Sequence, residues 1–173
     1  MGLLTRREEA IDQVTRTFRF DVRLLARRLL DVVCWLDGQA ETRSLPKSFF
    51  GASTGAAAAL VAAAARPHAV TCIVSRGGRP DLAGEFLSKV RAPTLLIVGG
   101  NDYDCLALNQ SALRKLKSVP SRLQVVPGAS HLFEEPGALQ QVASAATDWY
   151  ARWMRPREGP RSSVAADPIR GEK

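Results

Sequence analysis

The stretch Ser48-Phe49-Phe50-Gly51-Ala52-Ser53-Thr54-Gly55, followed by an almost unbroken alanine run to Ala65, leaves this chain few ways to fold. Two adjacent aromatics suit a strand, whereas alanine is the strongest helix former, so the chain must pass from strand to helix within a few residues. Glycine at 51 and 55 lets the two elements approach each other closely, because neither position carries a Cβ. A helix made almost entirely of alanine has no bulky side chains to hold it off a neighbouring sheet. The segment therefore predicts a strand, a tight turn at Ser53 and a helix lying against the sheet.

The unit recurs along the chain. Ala69 to Val74 reads as a strand, Asp81 to Lys89 as helical, Thr94 to Val98 as a strand and Leu106 to Lys117 as a helix. Leu123 to Val126 supplies a fourth strand, and Ala138 to about Met154 a last helix with Leu139, Val142, Ala146, Trp149 and Trp153 at core-facing intervals. Strands alternating with helices of this length imply parallel crossovers and an α/β class, with about four parallel strands and flanking helices. Ahead of the first strand, Thr5 and Glu8 form a capping-box pattern. Asp21 then opens a helix whose stripe of Val22, Leu25, Leu29, Val32, Val33 and Leu36 should face the sheet until Gly38 ends it. One domain is expected over residues 1–155. The remainder, 156–173, is rich in Pro, Ser and charge, offers nothing to bury and reads as a disordered tail.

Composition narrows the functional classes. With 24 Lys and Arg against 17 Asp and Glu, the chain carries a formal charge of +7. No aromatic-interleaved basic motif accompanies that charge, so nucleic acid is not an expected partner. Arg23, Arg27 and Arg28 read as solvated helix faces. The three cysteines, Cys34, Cys72 and Cys105, are widely spaced and form no C-x-x-C pair, which argues against disulfides and thiolate metal sites and fits a reducing cytoplasm. Cys34 and Cys72 are expected to pack as small hydrophobes, and Cys105 to lie in a loop near the candidate site. His68 and His131 are too few for a histidine-rich metal centre, and no cofactor fingerprint is present, so neither metal nor cofactor is expected. No apolar run reaches membrane-spanning length without polar interruption.

Gly51-Ala52-Ser53-Thr54-Gly55 matches G-x-S-x-G at a strand-to-helix junction, the context in which a serine is presented as a nucleophile. The Thr54 N–H, at the start of the helix, is the expected oxyanion donor. A serine hydroxyl needs a base and an orienting acid. Thr94 to Val98 runs into Gly99-Gly100-Asn101-Asp102, and Leu123 to Val126 runs into Pro127-Gly128-Ala129-Ser130-His131, so both candidates fall just beyond strand ends, where α/β sites gather. Asp104 is a rival acid. His68 falls at the opposite edge. Arg76 and Arg79, in Ser75-Arg76-Gly77-Gly78-Arg79-Pro80, follow the strand beside the elbow and are candidate contacts for a substrate carboxylate or phosphate, although a solvated loop explains them equally well.

Four separated motifs, GASTGAAAALVAAA, VSRGGRPDLAG, APTLLIVGGND and VVPGASHLFEEPG, resemble those of the dienelactone hydrolase-like α/β-hydrolases of bacteria, in particular the branch fused behind a phosphoribosyltransferase domain. The resemblance covers about Leu3 to Trp153 and implies a catalytic triad of Ser53, Asp102 and His131. It implies a serine hydrolase acting on a small ester-like molecule, a carboxylic ester, lactone or thioester. Authentic dienelactone hydrolases use cysteine as nucleophile, so serine at 53 departs from that pattern. The resemblance also implies an N-terminal truncation: about half a sheet would precede Leu3, including the strand whose loop supplies the second oxyanion amide. An open edge at Phe49 and Phe50 would then invite self-association or complementation by the missing half, and a silent fragment acting as an interaction module is the competing expectation.

Overall fold

The computed structural model describes residues 2–154; the tail expected over 156–173 lies outside the described residues. Four parallel strands, β1 (Ser48–Ala52), β2 (Cys72–Arg76), β3 (Thr94–Gly99) and β4 (Ser121–Val126), lie in the order β1-β2-β3-β4. Five helices accompany them: α1 (Arg6–Thr15), α2 (Val22–Gly38), α3 (Thr54–Ala65), α4 (Tyr103–Lys115) and α5 (Ala138–Trp153). This is the α/β class expected, a partial α/β-hydrolase sheet with helices on both faces.

Strand alternation divides the core into two layers. Phe49, Ile73 and Leu96 point toward α2, α3 and the Leu116 end of α4, whereas Cys72, Val74, Leu95 and Ile97 point toward Val142, Ala146 and Trp149 of α5. Every residue from Ala56 to Ala63 in α3 is buried. The alanine run is what permits this, for an ideal Cβ on Gly51 would lie 2.5 Å from the Ala56 Cα. Helix and strand touch through backbone atoms.

The amino-terminal helices are joined by charge. Thr5 and Glu8 form the reciprocal cap, and the Glu8 carboxylate also receives two hydrogen bonds from Arg28, which in addition donates to the Leu3 carbonyl. Arg28 is thus a clamp between α1 and α2 rather than a solvated side chain. On α2, Val22, Leu25, Ala26 and Val33 are buried as the stripe requires, while Val32 and Leu36 line a cleft beside β1.

Several boundaries differ from expectation. β2 begins at Cys72 and continues through Ser75 and Arg76, which pair in register with Gly51 and Ala52. The segment Pro80–Lys89 is 3-10 rather than α-helical and breaks at Gly84, whose φ of +52° belongs to the left-handed region. Helix α4 starts at Tyr103, so Cys105 sits buried in its first turn rather than in a loop. Cys34 is exposed, with its sulfur 2.8 Å from an Arg66 guanidinium nitrogen, because one step along a helix from buried Val33 turns the side chain toward solvent. Among the described residues, no helix is long and apolar enough to cross a membrane.

Candidate active site

All four strands run in one direction, so their carboxyl ends share one rim, and the chain crosses that rim after each strand. After β1, Ser53 takes φ 49° and ψ −123°, a conformation that side-chain-bearing residues avoid. The turn is held from both sides. Ser53 N donates to the Arg76 carbonyl at 3.3 Å, and the Ser53 carbonyl accepts from Arg79 N and Ala56 N, both at 3.1 Å. The Ser53 side chain makes no capping hydrogen bond to α3, so its hydroxyl is not tied into the helix start. Thr54 is the first residue of α3, where amides have no intrahelical acceptor and the positive end of the helix dipole gathers.

After β3, Asp102 caps α4. One carboxylate oxygen accepts from Cys105 N at 3.4 Å; the other lies 2.6 Å from His131 Nδ1. The Asp102 side chain is 15% exposed and that of His131 42%, so the acid is sheltered while the imidazole reaches solvent. Asp104 is exposed in the first turn of α4. The loop carrying His131 is fixed to the acid's loop by Asn101, which donates through Nδ2 to the Gly128 carbonyl and through its backbone N–H to the Ala129 carbonyl, both at 2.9 Å. Glu135 accepts from Ser130 N at 2.9 Å, a bond that holds its carboxyl below the usual range. Gly99 is obligatory here: a Cβ would stand 2.4 Å from the Ala129 carbonyl oxygen.

Ser53 and His131 each approach the carboxyl end of β2. Arg76 accepts from Ser53, and an ideal Cβ on the next residue, Gly77, would lie 3.5 Å from His131 Cε1. Ser53 and His131 therefore border adjacent residues, Arg76 at the end of β2 and Gly77 just beyond it. Arg76 sets its guanidinium over the Phe133 ring at 5.7 Å from the centroid, and Arg79 is bound by two hydrogen bonds to Asp81. That pairing depresses the Asp81 carboxyl and raises the Arg79 guanidinium. His68 lines a cleft with Lys47 and Thr71 at the amino ends of β1 and β2, the opposite rim.

Two further residues pack at this rim, Cys105, which the sequence places near the site, and Asn109, for which it gives no signal. Cys105 points its thiol at the Gly78 carbonyl, 3.2 Å away, and burial together with the Asp102 charge pushes the thiol up to about 12. Asn109, fully buried, donates through Nδ2 to the carbonyls of Gly78 and Cys105. Helical spacing from the Asp102 cap sets Cys105 on the inner face of α4.

No protein-family model matches the chain. It is 57% identical over 148 residues to a Mycobacterium tuberculosis protein provisionally named a phosphoribosyl transferase, covering 86% of this chain and 32% of that protein. The chain thus spans about a third of the length of these curated relatives. Among solved structures it is similar to the dienelactone hydrolase of Anabaena variabilis, at 54% identity and a TM-score of 0.86, covering 89% of this chain and 71% of that one. A dienelactone hydrolase-like promiscuous phosphotriesterase from metagenomic libraries shares the fold at a TM-score of 0.65 and 18% identity, covering 83% of this chain and 67% of that one. With 54% identity sustained over more than two thirds of a solved relative, at a TM-score of 0.86, the chain belongs to the dienelactone hydrolase-like family of α/β-hydrolases.

Proposed function

We propose that this chain carries a serine hydrolase site acting on ester-like carbonyl compounds, whether carboxylic ester, lactone or thioester, through an acyl-enzyme. The observation that supports this most is the 2.6 Å contact of Asp102 with His131 Nδ1, beside a serine held at φ 49° at a strand-to-helix turn. His131 donates from Nδ1 to Asp102, which leaves the Nε2 lone pair free to take the Ser53 proton. Ser53 attacks the carbonyl carbon, and the Thr54 N–H stabilises the resulting oxyanion. The protonated imidazole gives its proton to the leaving group. Water, deprotonated by the same nitrogen, then releases the acyl group and restores Ser53.

Of the two arginines near the turn, Arg76 is the better candidate for holding an anionic group on the substrate, because the Arg79 guanidinium is already engaged by Asp81. The free thiols of Cys34, Cys72 and Cys105 favour a reducing compartment, the cytoplasm. Turnover of p-nitrophenyl acetate and longer aryl esters tests the activity. A folded Ser53→Ala chain should lose about 10⁴-fold or more of the turnover number; hydrolysis that survives this substitution would rule out Ser53 as nucleophile.

A second reading, an interaction module, is favoured by the edge of β1, which among the described residues pairs only with β2. Phe50 is 52% exposed there, above a cleft of about 440 Å³ lined by Leu3, Leu29, Val32 and Leu36. The occupant this favours is an extended segment that pairs with β1 and sets apolar side chains into the cleft. A monomer in size-exclusion chromatography that turns over esters unaided would contradict it.

A further inference from the structure

Cys105 places a third metal-binding atom type beside the acid and the imidazole. It follows Asp102 by three residues, so the first turn of α4 brings both side chains to one face. The Cys105 sulfur, an Asp102 carboxylate oxygen and a His131 ring nitrogen all lie within 4.8 Å of one another. Sulfur, nitrogen and oxygen from three protein groups form the donor set of a zinc-like site whose fourth position stays open to water. Magnesium and calcium, which require oxygen ligands throughout, are poorly served by it.

We propose that Asp102, Cys105 and His131 capture a thiophilic divalent cation, Zn²⁺ by its chemistry, and that the bound cation switches the Ser53 site off. A tetrahedral ion holding these ligands at about 2.0–2.3 Å sets them about 3.3–3.8 Å apart. The 2.6 Å acid–imidazole contact has to open by about 1 Å to reach that spacing, and the thiol, within 4.8 Å of both, has at most about 1.5 Å to close. The imidazole, 42% exposed, provides the entry side.

The switch follows from the two nitrogens of one ring. Without metal, the ring proton sits on Nδ1 and Nε2 accepts. With metal on the Nδ1 lone pair, the neutral ring carries its proton on Nε2, where it can donate but no longer accept from Ser53. In balance, the Cys105 S–H bond breaks and its proton leaves to solvent, the Nδ1 proton is replaced by one on Nε2, and bonds form from the metal to sulfur, nitrogen and oxygen. Nothing is oxidised or reduced. The inhibitory half of this inference rests on the serine hydrolase reading; the binding half does not.

The test uses the full chain with Cys34→Ser, which removes the exposed competing thiol. Titration with Co²⁺ should produce a thiolate-to-cobalt charge-transfer band saturating at one ion per chain. Zn²⁺ should displace the cobalt, and Mg²⁺ should produce no band. Adding Cys105→Ser should abolish the band and weaken Zn²⁺ binding by at least about 100-fold. His131→Ala, at a half-exposed position, should weaken binding similarly without disturbing the core. One equivalent of Zn²⁺ should slow fluorophosphonate labelling of Ser53 by at least tenfold, reversibly with EDTA, but not in the Cys105→Ser chain. No band, a band that persists without Cys105, or equal Zn²⁺ inhibition with and without Cys105 would overturn the proposal. A metal-free chain that takes no label yet gives the cobalt band would sink the serine reading and leave the metal site standing.

Discussion

Replacing Ser53 by glycine should make the protein more stable than replacing it by alanine, even though both remove the same hydroxyl. At φ 49° and ψ −123°, any residue with a Cβ crowds its own backbone, at a cost of about 1–3 kcal/mol. Ser53→Ala keeps the Cβ and so keeps that strain, while Ser53→Gly removes it. Against this gain, glycine adds unfolded-state freedom worth about 0.5–1 kcal/mol. The hydroxyl makes no capping bond to α3 whose loss would differ between the variants. The net expectation is that Ser53→Gly exceeds Ser53→Ala by about 1 kcal/mol, within a span of about 0–2.5 kcal/mol, and each kcal/mol corresponds to about 2–4 °C in melting midpoint at this chain length. Urea unfolding with matched m-values, supported by calorimetry, measures the difference. If the glycine variant proved less stable than the alanine variant, the strained-turn account of this site would be wrong.

Three further outcomes follow from the packing and the charges. Gly51→Ala would drive a Cβ to 2.5 Å from the Ala56 Cα and 2.6 Å from the Gly55 carbonyl oxygen, so it should destabilise the fold by about 3 kcal/mol or more; a denaturation midpoint near that of the parent would contradict the close approach of β1 and α3. Glu8 is held down to about 2 from the ordinary 4.5, chiefly by its hydrogen bond with Arg28, so its contribution is complete above pH 4.5 and disappears as pH falls toward 2. Melting curves of Glu8→Gln should therefore show a flatter acid slope within that window, and an unchanged slope would argue against the clamp. Native maleimide labelling should modify Cys34 rapidly and spare Cys72 and Cys105, whose burial pushes their thiols up to about 11 and about 12; equal modification of all three would refute the burial assigned to them.

Much of this arrangement was legible from local chemistry. Glycines flanking Ser53 announced a tight strand-to-helix turn, and two further strands running into Asp102 and His131 announced one rim, because parallel strands share their carboxyl ends. What was not legible depended on direction rather than type. Cys34 looked apolar from its neighbours in sequence, but successive residues on a helix point about 100° apart, which put it in solvent. Cys105 looked like loop because the helix was started at Leu106, although Asp102 is the side-chain cap of α4 and orients His131 with its other oxygen. The bond between Glu135 and Ser130, and that of Asn109 to Gly78, join residues that no spacing rule connects. Such contacts follow from the packed loops alone.

The most direct test of the central claim is to treat the purified chain with a fluorophosphonate and locate the adduct by peptide mass spectrometry. A single phosphonyl group on Ser53, absent from Ser53→Ala and formed far more slowly in His131→Ala and Asp102→Asn, is the predicted result. A folded chain left unmodified at Ser53, or modified there at the same rate without His131, would contradict the proposed base and nucleophile.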